Sequence, residues 1–391
     1  MIIRIVRLFV SKGSFLTLLA ATILMPVLSA RAQCPPNVLT SGLRTPLGIT
    51  QSNQNNLVVS ESGTSGVLHS GRISIVEPDG TRRTLLDGLP SAPNDIGDPS
   101  GPAGVFMRGR TLYVTIGVGD TTLPNQFPNP NPSSPIFSSV LAIHFSASVE
   151  KKTLQGFSLP LSAQQTLASG QKVTLSNADG DKLSVELIAN FPDFTIDPTR
   201  PSGFRNVNPF DLVVIENQAY VTDGGQNKVW QVDIPTGTFS TLVTFPQIAN
   251  PIPGFPAMTD AVATGIAFND GQLLVSLFTG VPFPPGRSKV EQVDPLTGSH
   301  AAFISGLKTT IDIAPIREGS DTHYLVLQHA SPTGPFFPPP GLLLHFETPA
   351  GPPTVVSSCL TRPTSMVVDE KTGLTYVTEL AGRIIEISGA L

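Results

Sequence analysis

Charge is scarce in this sequence, and cysteine and tryptophan are scarcer still. Only 14% of the 391 residues are Asp, Glu, Lys or Arg, two are Cys and one is Trp. With 40% hydrophobic residues and so little charge, the chain is not a disordered acidic or basic tail. Basic residues are too few for a nucleic-acid partner or an anionic membrane surface. Beyond residue 32, 20 Lys and Arg stand against 29 Asp and Glu, a net charge of −9. The strong catalytic signatures are missing too: there is no Gly-x-Ser-x-Gly, His-Glu-x-x-His, Cys-x-x-Cys or phosphate loop. None of the six histidines is spaced as a metal-ligating pair along the chain, so no metal site is signalled, and the sequence leaves any cofactor unknown.

What the sequence has in plenty is Gly, at 35 residues, and Pro, at 38. At that density they break helices every few turns, leaving a compact, turn-rich, mostly β protein. Its length suits one large domain or two ordinary ones.

Residues 1–32 read as a secretory leader. Arg4, Arg7 and Lys12 precede an apolar run from Phe15 to Leu28, and Ala30-Arg31-Ala32 is a small-x-small cleavage site. The run is shorter than the ~20 residues a membrane span needs. A mature domain over 33–391 is therefore expected in the periplasm or outside the cell, without a membrane span and as a monomer. Export permits a disulfide between Cys34 and Cys359, although two separate thiols fit the sequence equally well.

One pattern recurs along the chain. An apolar run ends near Thr or Ser, often with an acid next: Leu57-Val58-Val59-Ser60, Leu112-Tyr113-Val114-Thr115, Ala219-Tyr220-Val221-Thr222, Leu273-Leu274-Val275-Ser276, Tyr324-Leu325-Val326-Leu327 and Thr375-Tyr376-Val377-Thr378. Their start-to-start spacings are 55, 107, 54, 51 and 51 residues. Such β-branched and aromatic runs suit strands buried on both faces, and a period near 50 suits the four-stranded blades of a propeller. Alternating runs such as Lys228 to Asp233 and Arg383 to Ile387 supply third strands.

The last repeat ends after its third strand, while Val38 to Leu43 resembles the fourth strands at Phe303 to Leu307 and Val355 to Leu360. The expectation is an all-β, six-bladed β-propeller whose N-terminal strand closes the last blade, removing an open sheet edge. The 107-residue gap leaves seven blades as the alternative. With six, it holds a β-hairpin insertion near 147–183.

Several segments resemble a known family. Tyr220 to Val229 is similar to the inner hairpin of NHL/TolB-like six-bladed propellers. Thr279 to Asp294, with its Pro282-Phe283-Pro284-Pro285-Gly286, resembles the exported ScyD/ScyE family, as do Asn208 to Leu212 and Ala263 to Ala267. The likeness covers most of residues 35–391. It implies the propeller fold, export and an accessory role in secondary-metabolite-type pathways, but brings no catalytic residues with it.

Candidate sites follow from where propeller strands converge. Glu61, Asp223 and Glu379 hold one place after three of the marker runs, where Ile116, Leu277 and Gln328 stand in the others. A recurring acid can bond the N–H groups of a neighbouring turn, or a ring of such acids can gather a cation or polar ligand at the channel. Asn208, Arg205 and Thr264 are expected near one mouth of that channel. Asn177-Ala178-Asp179-Gly180-Asp181 spaces oxygens like a calcium loop, yet its Gly sits one place early and no twelfth-position Glu follows, which favours a hairpin turn. Pro- and Phe-containing loops at Leu123 to Pro135, Ala249 to Pro256 and Gly334 to Gly341 offer an apolar rim, or simply stiff connectors. Two functions remain: a binding or accessory protein for a small molecule or partner protein, or a channel-sited hydrolase or oxidoreductase using a bound cation.

Overall fold

The six marker runs become the second strands of six separate sheets. The computed structural model describes residues 34, 37–123, 126–152, 155–200 and 203–389. The expected leader lies outside the described residues. Blades one to six have as their first strands Pro46–Gln51, Pro102–Arg108, Pro209–Ile215, Ala263–Asn269, Thr310–Glu318 and Pro363–Asp369. Each first strand packs beside that of the next blade, and the sixth beside the first, so the ring is closed. The arrangement is a six-bladed β-propeller, with no seventh blade among the described residues.

Closure follows the expected route. Asn37–Ser41 pairs antiparallel with Arg383–Ile387 as the outer strand of blade six, with Asn37 opposite Glu386 and Ser41 opposite Arg383. Cys34, just ahead of that strand, is disulfide-bonded to Cys359 in the outer strand of blade five (Thr354–Leu360). The bridge spans 325 residues of sequence and ties the closing strand to the neighbouring blade.

The long gap is filled by an insertion between the third and fourth strands of blade two, Ser139–Phe145 and Lys182–Asn190. It is more than a hairpin. A hairpin joins Val173–Ser176 to Lys182–Asn190, but helices Ala147–Lys152 and Leu161–Ala168 come before it. Between the helices, Phe157–Ser158 adds a parallel strand to the outer edge of blade one, opposite Leu86 and Asp87. Val149, Phe157, Leu159 and Leu167 are buried in one core with side chains from blades one and two, which is why this stretch folds against them. Asn177 to Asp181 is a hairpin turn: the Asn177 side-chain oxygen accepts from the N–H groups of Asp179 and Asp181, and Gly180 takes φ +81°.

Candidate functional site

All six blades begin alike. The carbonyl before each first strand (Thr45, Gly101, Asn208, Val262, Thr309, Arg362) accepts the N–H just past the second strand (Ser62, Gly117, Gly224, Phe278, His329, Leu380) at 2.8–3.1 Å. Four of these leading residues, Thr45, Val262, Thr309 and Arg362, have φ between 42° and 54°, a left-handed region that costs a branched side chain about 1–2 kcal/mol. Register shifts at the same place in every first strand, from Pro46/Gly48 to Pro363/Ser365. A shift of this kind re-aims side chains at a rim. Within it, Leu47, Phe210 and Ile311 border the space at the axis, while Thr364 gives its hydroxyl to the Pro46 carbonyl at 2.9 Å.

The channel is narrow. Gly48, Gly104, Asp211, Gly265, Asp312 and Ser365 hold equivalent places on its wall, and the space among them has no room for a water-sized cavity. The glycines are there because the neighbouring blade leaves no room for more. A Cβ on Gly104 would lie 2.4 Å from the Cα of Asp211, and one on Gly265 2.6 Å from that of Asp312. Asp211 accepts the Ile266 N–H at 3.1 Å, and Asp312 accepts the Met366 N–H at 2.8 Å and the Ser365 hydroxyl at 3.0 Å. Burial pushes both carboxyls above the usual carboxylate range, and for Asp211 the charge of Asp312 adds to it.

Above one end of the channel lies a cleft of about 420 Å³. Leu47, Ala103 and Phe210 give it apolar surface, Asn94, Asp98 and Ser100 come from the loop entering blade two, and Asn208 and Arg362 flank it. Asn208 accepts the Val118 N–H at 3.0 Å through its side-chain oxygen, which leaves the amide hydrogens to donate. The Arg362 guanidinium lies 5.5 Å from the centre of the Phe337 ring, within cation–π range, and pairs with no carboxylate among the described residues.

Phe337 in turn packs on Phe278, Phe283 and His329. Burial drives His329 down to about 4, so it is neutral at ordinary pH. The loops carrying Phe283 and Phe337 are pinned from beneath by Lys308, which has no atom reaching solvent and whose Nζ donates to the carbonyls of Phe283 and Gly334. Phe336 donates its N–H to Pro282 and meets Phe255, so the Pro-rich loops at 249–256, 279–287 and 331–340 form one layer beside the cleft.

The six channel candidates from the sequence do not gather at one place. Glu61, Asp223 and Glu379 are fully buried within their own blades and line neither channel nor cleft. Glu61 accepts from the Arg44 N–H and the Ser74 hydroxyl. Asp223 accepts from the N–H groups of Asn208 at 2.9 Å and Gln226 at 3.0 Å and from the Trp230 indole at 2.8 Å. Glu379 accepts from the Thr361 N–H and the Arg383 guanidinium. In blade five Gln328 does the same for the Lys308 N–H, so a neutral acceptor serves there as well as a charged one.

Thr264 is buried, its hydroxyl shared between the carbonyls of Ser276 and Thr310. Arg205 is ion-paired with Asp260 at 3.2 Å and bonds the Gly225 carbonyl. Only Asn208 lines the cleft. Sequence reading missed Arg362. The signal was available: aligned at their first strands, Thr45, Gly101, Asn208 and Arg362 each precede a Pro, and all four line the cleft.

No family model and no curated protein matches the sequence. Among solved structures, the chain is similar to the holo PQQ domain of pyranose dehydrogenase from Coprinopsis cinerea. Identity there is 11% over 90% of this chain and 94% of that one, with a TM-score of 0.50. It is also similar to the PQQ-bound aldose sugar dehydrogenase from Streptomyces coelicolor (14% identity, 90% and 96% covered, TM-score 0.48) and to a gluconolactonase from Xanthomonas campestris (13%, 90% and 88%, 0.47). What these likenesses share is the fold. At such identities they bring no activity to this chain. Among the described residues no three of His, Cys, Asp and Glu are grouped to hold a metal ion, and no helix is long and apolar enough to cross a membrane.

Proposed function

We propose that the chain is an exported, monomeric binding or accessory propeller of the kind the ScyD/ScyE resemblance implies, and that its cleft takes a small molecule with an apolar body and an anionic or acceptor head. Arg362 carries this reading: a guanidinium with no carboxylate partner among the described residues, 5.5 Å from the centre of the Phe337 ring at the edge of an apolar floor. The amide hydrogens of Asn208, without an acceptor among the described residues, supply a second donor. A planar head with two acceptor oxygens suits a guanidinium fork, and the apolar floor accounts for the remaining surface. Export rests on the leader and the accessory role on the family resemblance.

The test uses 2-naphthoate and its uncharged counterpart 2-naphthalenemethanol in equilibrium dialysis and thermal shift. Saturable 1:1 binding of the carboxylate, weaker for the alcohol and at least about tenfold weaker in Arg362→Gln, is expected, a loss of roughly 1.4 kcal/mol or more. Equal binding of both compounds, or indifference to Arg362→Gln, rules the reading out. The competing reading of a cation-using channel enzyme draws no support from Glu61, Asp223 and Glu379, whose oxygens are committed within three different blades.

A further inference from the structure

Sequence spacing hides one histidine pair that strand pairing assembles. His323 lies in the second strand of blade five (Asp321–Gln328) and His345 in the third (Gly341–Phe346). They are 22 residues apart in sequence, yet His323 Nδ1 and His345 Nε2 are 3.1 Å apart. The register explains it. Leu325 is opposite His345 and Tyr324 opposite Phe346, so His323 and His345 are diagonal neighbours on one face of the sheet.

The same face extends to two acids. Glu347 follows His345 by two residues, and Glu318 follows Ile316, the cross-strand partner of His323, by two. Both carboxylates are exposed, and both act electrostatically on His345. The patch sits at the end of the strand opposite to Gln328, away from the cleft.

We propose that His323 and His345 form a two-imidazole site for a divalent copper, nickel or zinc ion on blade five. Imidazole nitrogens bind such ions at about 2.0–2.1 Å, which places two ligands of one tetrahedral ion about 3.3 Å apart, close to the separation found here. Imidazole favours these metals over calcium or magnesium. The rings already face each other with centroids 5.1 Å apart and an interplanar angle of 32°, so binding replaces one N–H···N bond without moving a strand. Water fills the remaining positions, and Glu347 and Glu318 offset the ion's charge.

The experiment titrates Cu²⁺, Ni²⁺ and Zn²⁺ by calorimetry into mature protein carrying no polyhistidine tag, with electron paramagnetic resonance of the copper form. One saturable equivalent is expected, tightest for copper, with a spectrum of two-nitrogen ligation. His323→Ala and His345→Ala should each weaken binding at least about tenfold while leaving the melting temperature of the metal-free protein within a few degrees. Absence of saturable binding, or binding that either variant leaves unchanged, overturns the assignment. Neither result bears on the cleft, because Arg362 lies at the other end of the blades.

Discussion

Asp211 of blade three and Asp312 of blade five share the narrow centre of the ring, and each carboxylate bonds the blade that follows its own. Two buried acids here act as inter-blade fasteners, and the cost is mutual repulsion. Asp211 is pushed up to about 8, first by burial and then by Asp312.

A carboxyl whose folded-state pKa is raised stabilises the fold below its unfolded value, near 4, and loses that contribution as pH climbs through the folded value. Stability should therefore fall between about pH 4 and 8 on this account. Asp211→Asn keeps an acceptor for the Ile266 N–H and removes the charge. It should flatten the slope and melt a few degrees higher than the parent at pH 8. Melting temperatures across pH 4–9 decide it, and an unchanged slope counts against the pair.

The Cys34–Cys359 bridge anchors the one strand that reaches its blade from the other end of the sequence. Cys34→Ser should cost about 2–5 kcal/mol, in line with loss of a native disulfide. Hydrogen exchange should quicken first in Asn37–Ser41 and in its partner Arg383–Ile387, before blades two to four respond. A uniform loss across all blades would show that the bridge does not act through the closing strand.

Asp223 is a fastener inside its own blade. Asp223→Ala leaves the N–H groups of Asn208 and Gln226 and the Trp230 indole without their acceptor, a loss of at least about 3 kcal/mol. Asp223→Asn keeps an oxygen for the two backbone donors but turns an amide toward the indole, so a smaller cost is expected. Denaturant unfolding measures both. Adding a chelator should change neither value if the carboxylate holds backbone and not a cation.

These residues also show what the sequence could and could not reveal. Blade count, ring closure and the second strands were legible because strands buried on both faces leave a continuous apolar run, repeated about every 50 residues. The Ser and Thr ending those runs were legible as a pattern but not as a role. In the structure Ser60 and Thr115 reach the first-strand carbonyls of the next blade, Ala103 and Phe210.

The recurring acids misled as channel candidates because a conserved place in a repeat does not say whether its side chain turns toward the axis or back into the blade. Gln328 was the clue, since a neutral acceptor fills the same place. Arg362 could be placed by aligning the first strands, but its contact with Phe337 and the His323–His345 pair could not be read from spacing. Phe337 comes from a loop of the preceding blade, and only the strand register brings the two histidines together.

Lys308 gives the sharpest test of how the cleft is held. Its ammonium sits beneath the aromatic layer with two carbonyls as partners and no paired carboxylate among the described residues, and burial lowers it to about 8. A base whose folded pKa is depressed gains stability relative to the unfolded chain as pH rises from about 8 toward the ordinary lysine value. Lys308→Met removes that gain and strands the carbonyls of Phe283 and Gly334. Exchange of the Phe336 and Ser331 amides, bonded to Pro282 and Pro338, should speed up several-fold while the second-strand amides stay protected. The parent should also gain stability over the variant between pH 8 and 10. Because Phe337 rides on this layer and Arg362 rests on Phe337, the variant should also weaken 2-naphthoate binding without touching the cleft itself. Faster loop exchange with unaltered binding would separate the layer from the cleft and leave Arg362 positioned by its own left-handed backbone alone.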